Sequence, residues 1–355
     1  MVFTPFSKII GQERAINYVK RVVGKDRLSH AYLFTGIPGI GKKSAAFALA
    51  QAVNCDNPAM GEGCGDCRSC RQMISGNHPD LFVIKPDGQA IKIGQIRNLI
   101  RDLGFKKVSA GFRVIIVCQA ETMTEEAANA FLKILEEPPD GNILVLDVVE
   151  ARDLLPTIVS RCQKVSFLPL PPTLIADRLV QEQGLAKDQA LVVAKIADGS
   201  LGRAVEMTQG NFLEKRHDFL HRLFELPQLA PEEALEMGLS YAGMSKRKEL
   251  DVGAGEGGLF ALLSVWKTWY RDLLLVKVGA SEDLLINADF GQKLKNMADH
   301  LTIASLLGSF EILNQAQHAL KRFRNADLMM ENTVLTLKRL TRQNINPTKE
   351  VLSGP

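Results

Sequence analysis

Gly36-Ile-Pro-Gly-Ile-Gly-Lys-Lys-Ser44 is the stretch that decides how this chain reads. It follows the phosphate-loop pattern G-x-x-x-x-G-K-[ST] up to its last position. Gly36, Gly39, Gly41 and Lys42 are in place; Lys43 stands where the pattern wants a hydroxyl. Glycines let backbone N–H groups curl around a phosphate, and the lysine ammonium neutralises it. The missing Ser or Thr would hold a Mg²⁺ bridging the β- and γ-phosphates, and a lysine cannot ligate a cation. The chain therefore reads as a nucleotide-hydrolase fold expected to have lost its hydrolytic step.

A second loss points the same way. Such cores need carboxylates at the end of a buried strand. Arg113-Val-Ile-Ile-Val117 is that strand, a short β-branched run read as central in the sheet, and Cys118-Gln119 follows it where two acids belong. Glu121 comes two residues later and points elsewhere on this reading; a different placement of the strand would make it the acid.

Around these motifs helix and strand patterns alternate, which predicts a parallel α/β sheet flanked by helices. Strands are expected at Ala31–Phe34, Leu81–Ile84, Arg113–Val117 and Asn142–Val149, and helices at 42–54, 91–103 and 125–137. From Pro169-Leu-Pro-Pro172 onward the strand patterns stop and helical periodicity takes over. Short helices are expected at 173–184, 187–197 and 202–208, and a long one at 259–278 carrying Trp266 and Trp269 into a helical bundle. Asp251 to Gly258 has the composition of a flexible loop, and the residues from 344 on that of a disordered tail.

Four of the six cysteines fall in one cluster, Cys55, Cys64, Cys67 and Cys70, spaced C-x8-C-x2-C-x2-C. The x2 spacings bring sulfurs close enough to share a tetrahedral ion, and four thiolates leave no open coordination position. Structural zinc is the expectation; a redox pair, an iron–sulfur cluster, or His78 in place of one thiolate are the other readings of the same residues. Cys118 and Cys162 are expected to be small core residues.

At 355 residues, 46% apolar and net charge +3, the chain is expected to form two or three soluble domains. No apolar run reaches the length of a membrane span, and Met1-Val-Phe-Thr-Pro-Phe-Ser-Lys8 has no apolar signal core, so a cytoplasmic location and no membrane partner are expected. The basic clusters at 106–107, 246–248, 321–324 and 338–342 read as solvated faces, with contact to a nucleic-acid backbone as the alternative.

Five further motifs belong together: Ile10-Gly11-Gln12, His30 to Gly36, Glu126 to Pro139 (EAANAFLKILEEPP), Leu155 to Cys162 (LPTIVSRC) and Gly199 to Ala204 (GSLGRA). With the four-cysteine knuckle they strongly resemble the clamp-loader branch of the AAA+ ATPases, motif by motif over about residues 1–210. Beyond that, helical character alone supports the likeness.

The resemblance implies an AAA+ phosphate-loop core at 1–168 with the zinc knuckle inserted at 55–70. A helical lid at 169–210, an all-α collar at 211–345 and a tail at 346–355 follow. It implies that Arg161 is an arginine finger offered to a neighbour's ATP, and that Gly11 and Gln12 lie near an adenine. Lys42 would be a phosphate contact and Arg203 a lid arginine that senses nucleotide, or else a relic or an interdomain contact. The implied partners are other clamp-loader subunits, of the gamma/tau and delta types, with the sliding clamp and primer-template DNA reached through the assembly. ATP or ADP binding is left open, and no Mg²⁺ catalysis or hydrolysis by the isolated chain is expected.

The rival is an active gamma/tau-type ATPase using Ser44 and Glu121. Ser44 is one residue late, so its hydroxyl turns by about 100° around the helix and misses the metal. A freestanding nucleic-acid-binding zinc protein fits less well: residues 61–70 hold one Arg, two acids and no aromatic side chain to grip a base.

Overall fold

Ala31–Thr35 (β1) is buried at all five positions, as a strand covered on both faces must be. Its side chains alternate between two hydrophobic clusters. Tyr32 and Phe34 pack with Val114, Ile116, Ile143 and Val145 on one face, while Ala31 and Leu33 pack with Ile115, Val117, Leu144 and Leu146 on the other. Full burial of each Leu or Ile side chain here is worth about 1.5–3 kcal/mol.

The computed structural model describes residues 4–24, 28–107, 111–246, 258–321 and 325–342. The chain divides into two compact units, Met1–Pro171 with Gly199–Gly202, and Pro172–Asp198 with Arg203–Pro355.

In the first unit the order is α1 (Glu13–Gly24), β1, α2 (Lys42–Val53), α3 (Arg68–Ser75), β2 (Leu81–Ile84), α4 (Ile93–Leu103), β3 (Arg113–Val117), α5 (Glu125–Glu136), β4 (Asn142–Val148), α6 (Pro156–Val159) and β5 (Gln163–Ser166). The sheet is parallel throughout, in the order β2-β3-β4-β1-β5. Residues of α1, α2 and α3 line one cluster and those of α4, α5 and α6 the other. The predicted strands stand where the apolar runs put them, with β4, not β3, in the middle. Two elements had no such run. The edge strand β5 reads Gln163-Lys-Val-Ser and buries only Val165, and α3 lies inside the cysteine knuckle.

The second unit is helical: α7 (Pro172–Gln183), α8 (Lys187–Ile196), α9 (Leu201–Gln209, which belongs to this unit from Arg203 on), α10 (Phe212–Glu225), α11 (Pro231–Lys246), α12 (Gly258–Lys277), α13 (Gly291–His300), α14 (Ile303–Lys321) and α15 (Ala326–Arg342). Helix α12 is its core. Trp266 and Trp269 are fully buried; Trp266 Nε1 donates to Phe219 O at 2.8 Å, and Trp269 packs on Phe224 with ring centroids 4.6 Å apart. Asp272, on the same helix, anchors the segment after it by accepting from the backbone N–H groups of Ile286 and Asn287 at 2.9 and 2.6 Å.

Lys338 corrects an expectation: it is buried and donates to Leu229 O, so it is not a solvated cation. The flexible loop expected at 251–258 lies outside the described residues apart from Gly258, which opens α12. The tail and the basic residues 247–248 and 322–324 also lie outside them. No helix among the described residues is long and apolar enough to cross a membrane.

Candidate functional site

The phosphate loop joins β1 to α2, and its glycines carry the shape. Gly36, Gly39 and Gly41 have φ of 149°, 75° and 107°, which L side chains rarely adopt. A Cβ at Gly36 would stand 2.7 Å from Phe167 O. The loop is backed by the start of the GSLGRA motif: Ser200 Oγ donates to Pro38 O at 2.8 Å and Gly202 N to Gly39 O at 2.9 Å. A side chain at Gly202 would meet that carbonyl at 2.8 Å. This motif segment packs with the first unit.

Lys42 is buried, and its ammonium turns back on its own chain. It donates to Gly36 O, to Ile37 O at 3.0 Å, and pairs with Asp147 Oδ1 at 3.2 Å. An ammonium has three N–H donors, and these three contacts account for all of them. Asp147 comes from β4. Burial pushes its carboxyl up from the usual aspartate range, and Lys42 draws it back. Sequence reasoning missed Asp147, although a lone acid inside the apolar run Asn142-Ile-Leu-Val-Leu-Asp-Val148 was a usable signal.

At the end of β3 the expected pair of acids is absent, as the sequence indicates. Cys118 is buried and its N–H donates to Ile84 O at 2.9 Å. Gln119 turns the chain with a left-handed φ of 53°. Glu121 follows in a short helical turn; burial raises its carboxyl, and its Oε2 is buried without a hydrogen-bond partner among the described residues.

Gln12 is buried, and its carboxamide occupies the backbone edge of Leu168. Nε2 donates to Leu168 O at 2.8 Å, and Leu168 N donates to Oε1 at 3.0 Å. Beside it lies a cleft of about 430 Å³ lined by Gly11, Arg14, Tyr18, Lys164 and Ser166 among others. Arg203 belongs to the second unit, where it donates to Ser264 Oγ at 3.3 Å and lies over the Phe260 ring at 5.7 Å.

The four cysteines converge. The Sγ atoms of Cys55, Cys64, Cys67 and Cys70 all lie within 4.8 Å of one another, and Cys64 and Cys70 are 3.9 Å apart. A tetrahedral ion with Zn–S bonds near 2.3 Å places its sulfurs about 3.8 Å apart. Backbone N–H groups aim at the sulfurs: Cys64 N at Cys55 Sγ (3.2 Å), Cys67 N at Cys64 Sγ (3.4 Å) and Cys70 N at Cys67 Sγ (3.4 Å). Hydrogen bonds from the N–H groups of Cys67 and Asp66 lower the Cys64 thiol to about 7, as suits a metal thiolate. The donor set and spacing fit a metal ion held by four thiolates.

His78 is not in the cluster. Its Nδ1 accepts from Asp80 N at 3.2 Å and its Nε2 faces Ser69 Oγ at 3.2 Å, so both ring nitrogens are used within the fold. The knuckle is pinned to the N-terminal segment by Glu62, which accepts from Ser7 N at 2.7 Å and pairs with Lys20 at 3.2 Å.

Arg161 sits between α6 and β5 with its side chain 37% exposed. One terminal nitrogen donates to Thr157 O and the other to Glu136 Oε1, each at 3.0 Å. A pair this exposed contributes about 0–1 kcal/mol to stability. The neighbouring Cys162, expected in the core, is only partly buried and packs against the edge of the hydrophobic cluster; desolvation pushes its thiol up to about 12.

The fold and site define a class: a parallel α/β core with a glycine-shaped phosphate-loop turn between β1 and α2 and a four-cysteine knuckle, with Lys43 after the loop lysine and Cys118-Gln119 after β3. Comparison with known proteins narrows it. Two family descriptions match, "DNA polymerase III, delta subunit" over residues 11–171 and "DNA polymerase III, delta subunit, C terminal" over residues 258–339. The DNA polymerase III subunit delta' of Bacillus subtilis is 35% identical over 92% of this chain and 96% of its own length. The delta' of Escherichia coli is 31% identical over 55% of this chain, and the tau subunit of B. subtilis 27% over 99% of it. The chain belongs to the delta-prime family of DNA polymerase III clamp-loader subunits.

Proposed function

We propose that this delta-prime-type subunit binds no catalytic metal, hydrolyses no ATP itself, and completes a loader ring in which Arg161 serves the ATP of a neighbouring subunit. The observation that carries the proposal is the state of the two cations. Lys42 has spent its donors on Gly36, Ile37 and Asp147, beside a loop with Lys43 at the metal-ligand position and a strand end with Cys118 and Gln119. A nucleotide entering the loop would have to displace an ion pair and two carbonyl contacts. Arg161 is exposed and keeps donors free. A guanidinium supplied in trans stabilises the charge on a transferring phosphoryl group and can be worth about 10³–10⁵ in rate.

Around that core the reading assigns residues 1–168 to the ATPase-like domain, 169–210 to a lid and 211–345 to a collar that joins subunits of the gamma/tau and delta types. The sliding clamp and primer-template DNA are reached through the assembly, in the cytoplasm. The ion in the cysteine cluster is zinc, for which four thiolates form a closed structural site. Zinc would hold the knuckle together with no open position for catalysis; its four ligands are Cys55, Cys64, Cys67 and Cys70.

The test is reconstitution with tau-type and delta-type subunits of the same organism. Clamp- and DNA-stimulated ATP hydrolysis is compared between the native chain and Arg161→Ala, with assembly followed by size. Loss of hydrolysis in an intact complex supports the reading; full hydrolysis overturns it. Turnover by the isolated chain that disappears on Glu121→Ala or Ser44→Ala would establish the rival, an active ATPase.

A further inference from the structure

The contact between Arg161 and Glu136 bears on how an arginine finger is aimed. A long, half-exposed arginine has many rotamers, and rate enhancement by a cation depends on where it stands when charge develops. Here both terminal nitrogens of Arg161 are anchored, one on the Thr157 carbonyl and one on Glu136 Oε1.

Both anchors stand on rigid ground. Glu136 is the last residue of α5, a helix N-capped by Thr124, whose Oγ1 accepts from Ala127 N, and fixed by buried Phe131, Ile134 and Leu135. Thr157 belongs to α6, whose Ile158 is buried in that same hydrophobic cluster. A guanidinium has five N–H donors. The two anchors take two of them, so Arg161 can meet a phosphate without releasing either.

We propose that Glu136 is a positioning residue that holds the Arg161 guanidinium aimed for phosphate contact; this rests on the trans-arginine reading above. Glu136 acts through Arg161 and touches no reacting atom. Its contribution lies in fixing direction, so it acts on kcat and leaves the KM for ATP almost unchanged.

The experiment uses the reconstituted assembly with clamp and primed DNA. It measures kcat and KM for ATP with the native chain, Arg161→Ala, Glu136→Ala, Glu136→Gln and the double alanine variant. Assembly is checked by size and folding by thermal unfolding of the chain. The expected result is that Glu136→Ala lowers kcat roughly tenfold, less than Arg161→Ala does. KM should move by less than about twofold. Glu136→Gln, which keeps an acceptor at the same place, recovers most of the loss. The double variant is no slower than Arg161→Ala alone, because both changes remove one unit.

If Arg161→Ala costs activity and Glu136→Ala does not, the positioning role is wrong and the finger reading survives. A rise in kcat on Glu136→Ala would show that the carboxylate restrains the finger, and likewise overturns the proposal. Should Arg161→Ala itself have no effect, the finger reading fails and Glu136 has nothing to position.

Discussion

Lys42 and Arg161 are two cations of one α/β core, and they face opposite situations. Lys42 is buried, with its three N–H groups occupied by two loop carbonyls and Asp147. Arg161 is 37% exposed and gives two of its five donors to its own chain. The difference is one of desolvation. A buried ammonium must be fully satisfied where it stands, whereas an exposed guanidinium exchanges water for phosphate at little cost. On the proposed reading, the site that would serve this chain's own nucleotide is closed from within, and the cation proposed to serve a neighbour's is open.

The comparison breaks most readily at Arg161. Single-turnover hydrolysis by the assembly should fall by roughly 10³-fold or more at the site this subunit completes when Arg161 becomes Ala. Arg161→Lys should recover only part, since a point charge lacks the planar fork. Lys42→Met, in contrast, should leave hydrolysis by the assembly unchanged. A loss from Lys42→Met as large as that from Arg161→Ala would mean that the phosphate loop is in use.

Metal removal comes next in size. Cys55 follows α2, the helix that carries Lys42, while Arg161 lies on another part of the core. Freshly purified, reduced protein should carry about one zinc ion. Cys67→Ser or chelation should lower stability and raise amide exchange across residues 54–80, because metal binding and folding are coupled. Exchange around 156–166 should change little. An absence of metal by elemental analysis would end the zinc assignment.

The Lys42–Asp147 pair gives a smaller, opposed pair of outcomes. Asp147→Ala leaves a buried ammonium with carbonyls alone and should cost about 3 kcal/mol in urea unfolding. Lys42→Met combined with Asp147→Leu, which removes both charges, should cost less than Asp147→Ala. If Asp147→Ala is instead neutral, Lys42 is solvated and the loop is open.

The smallest effect belongs to the second unit. Trp266 Nε1 is hydrogen-bonded to Phe219 O, while Trp269 Nε1 is buried with no partner among the described residues. Trp266→Phe should cost about 1 kcal/mol more than Trp269→Phe, since it removes a buried indole hydrogen bond, made to Phe219 O, that Trp269 lacks among the described residues. Thermal unfolding of the two variants side by side measures this.

Much of the site was legible before any coordinates. The loop glycines, Lys43 in the hydroxyl position, Cys118-Gln119 after β3 and the x2 cysteine spacings are all local patterns. Local chemistry is set by neighbours in the chain, so it is readable there. The four strands with apolar runs were legible for the same reason: a strand covered on both faces needs apolar side chains at nearly every position. The edge strand β5 was not, because Gln163, Lys164 and Ser166 face outward and leave Val165 as its one buried residue.

What the tertiary structure decided is which distant residues share a place. No pattern within residues 36–44 shows that Asp147 satisfies Lys42, since the partner arrives on β4, the strand paired in register with β1. Nor does the LEEPP stretch show that Glu136 holds Arg161, a contact made only when α5 and α6 pack into one cluster. Sequence determines what each residue can donate or accept. Whether a donor is already spent depends on long-range packing, and that is what separates the closed Lys42 from the open Arg161.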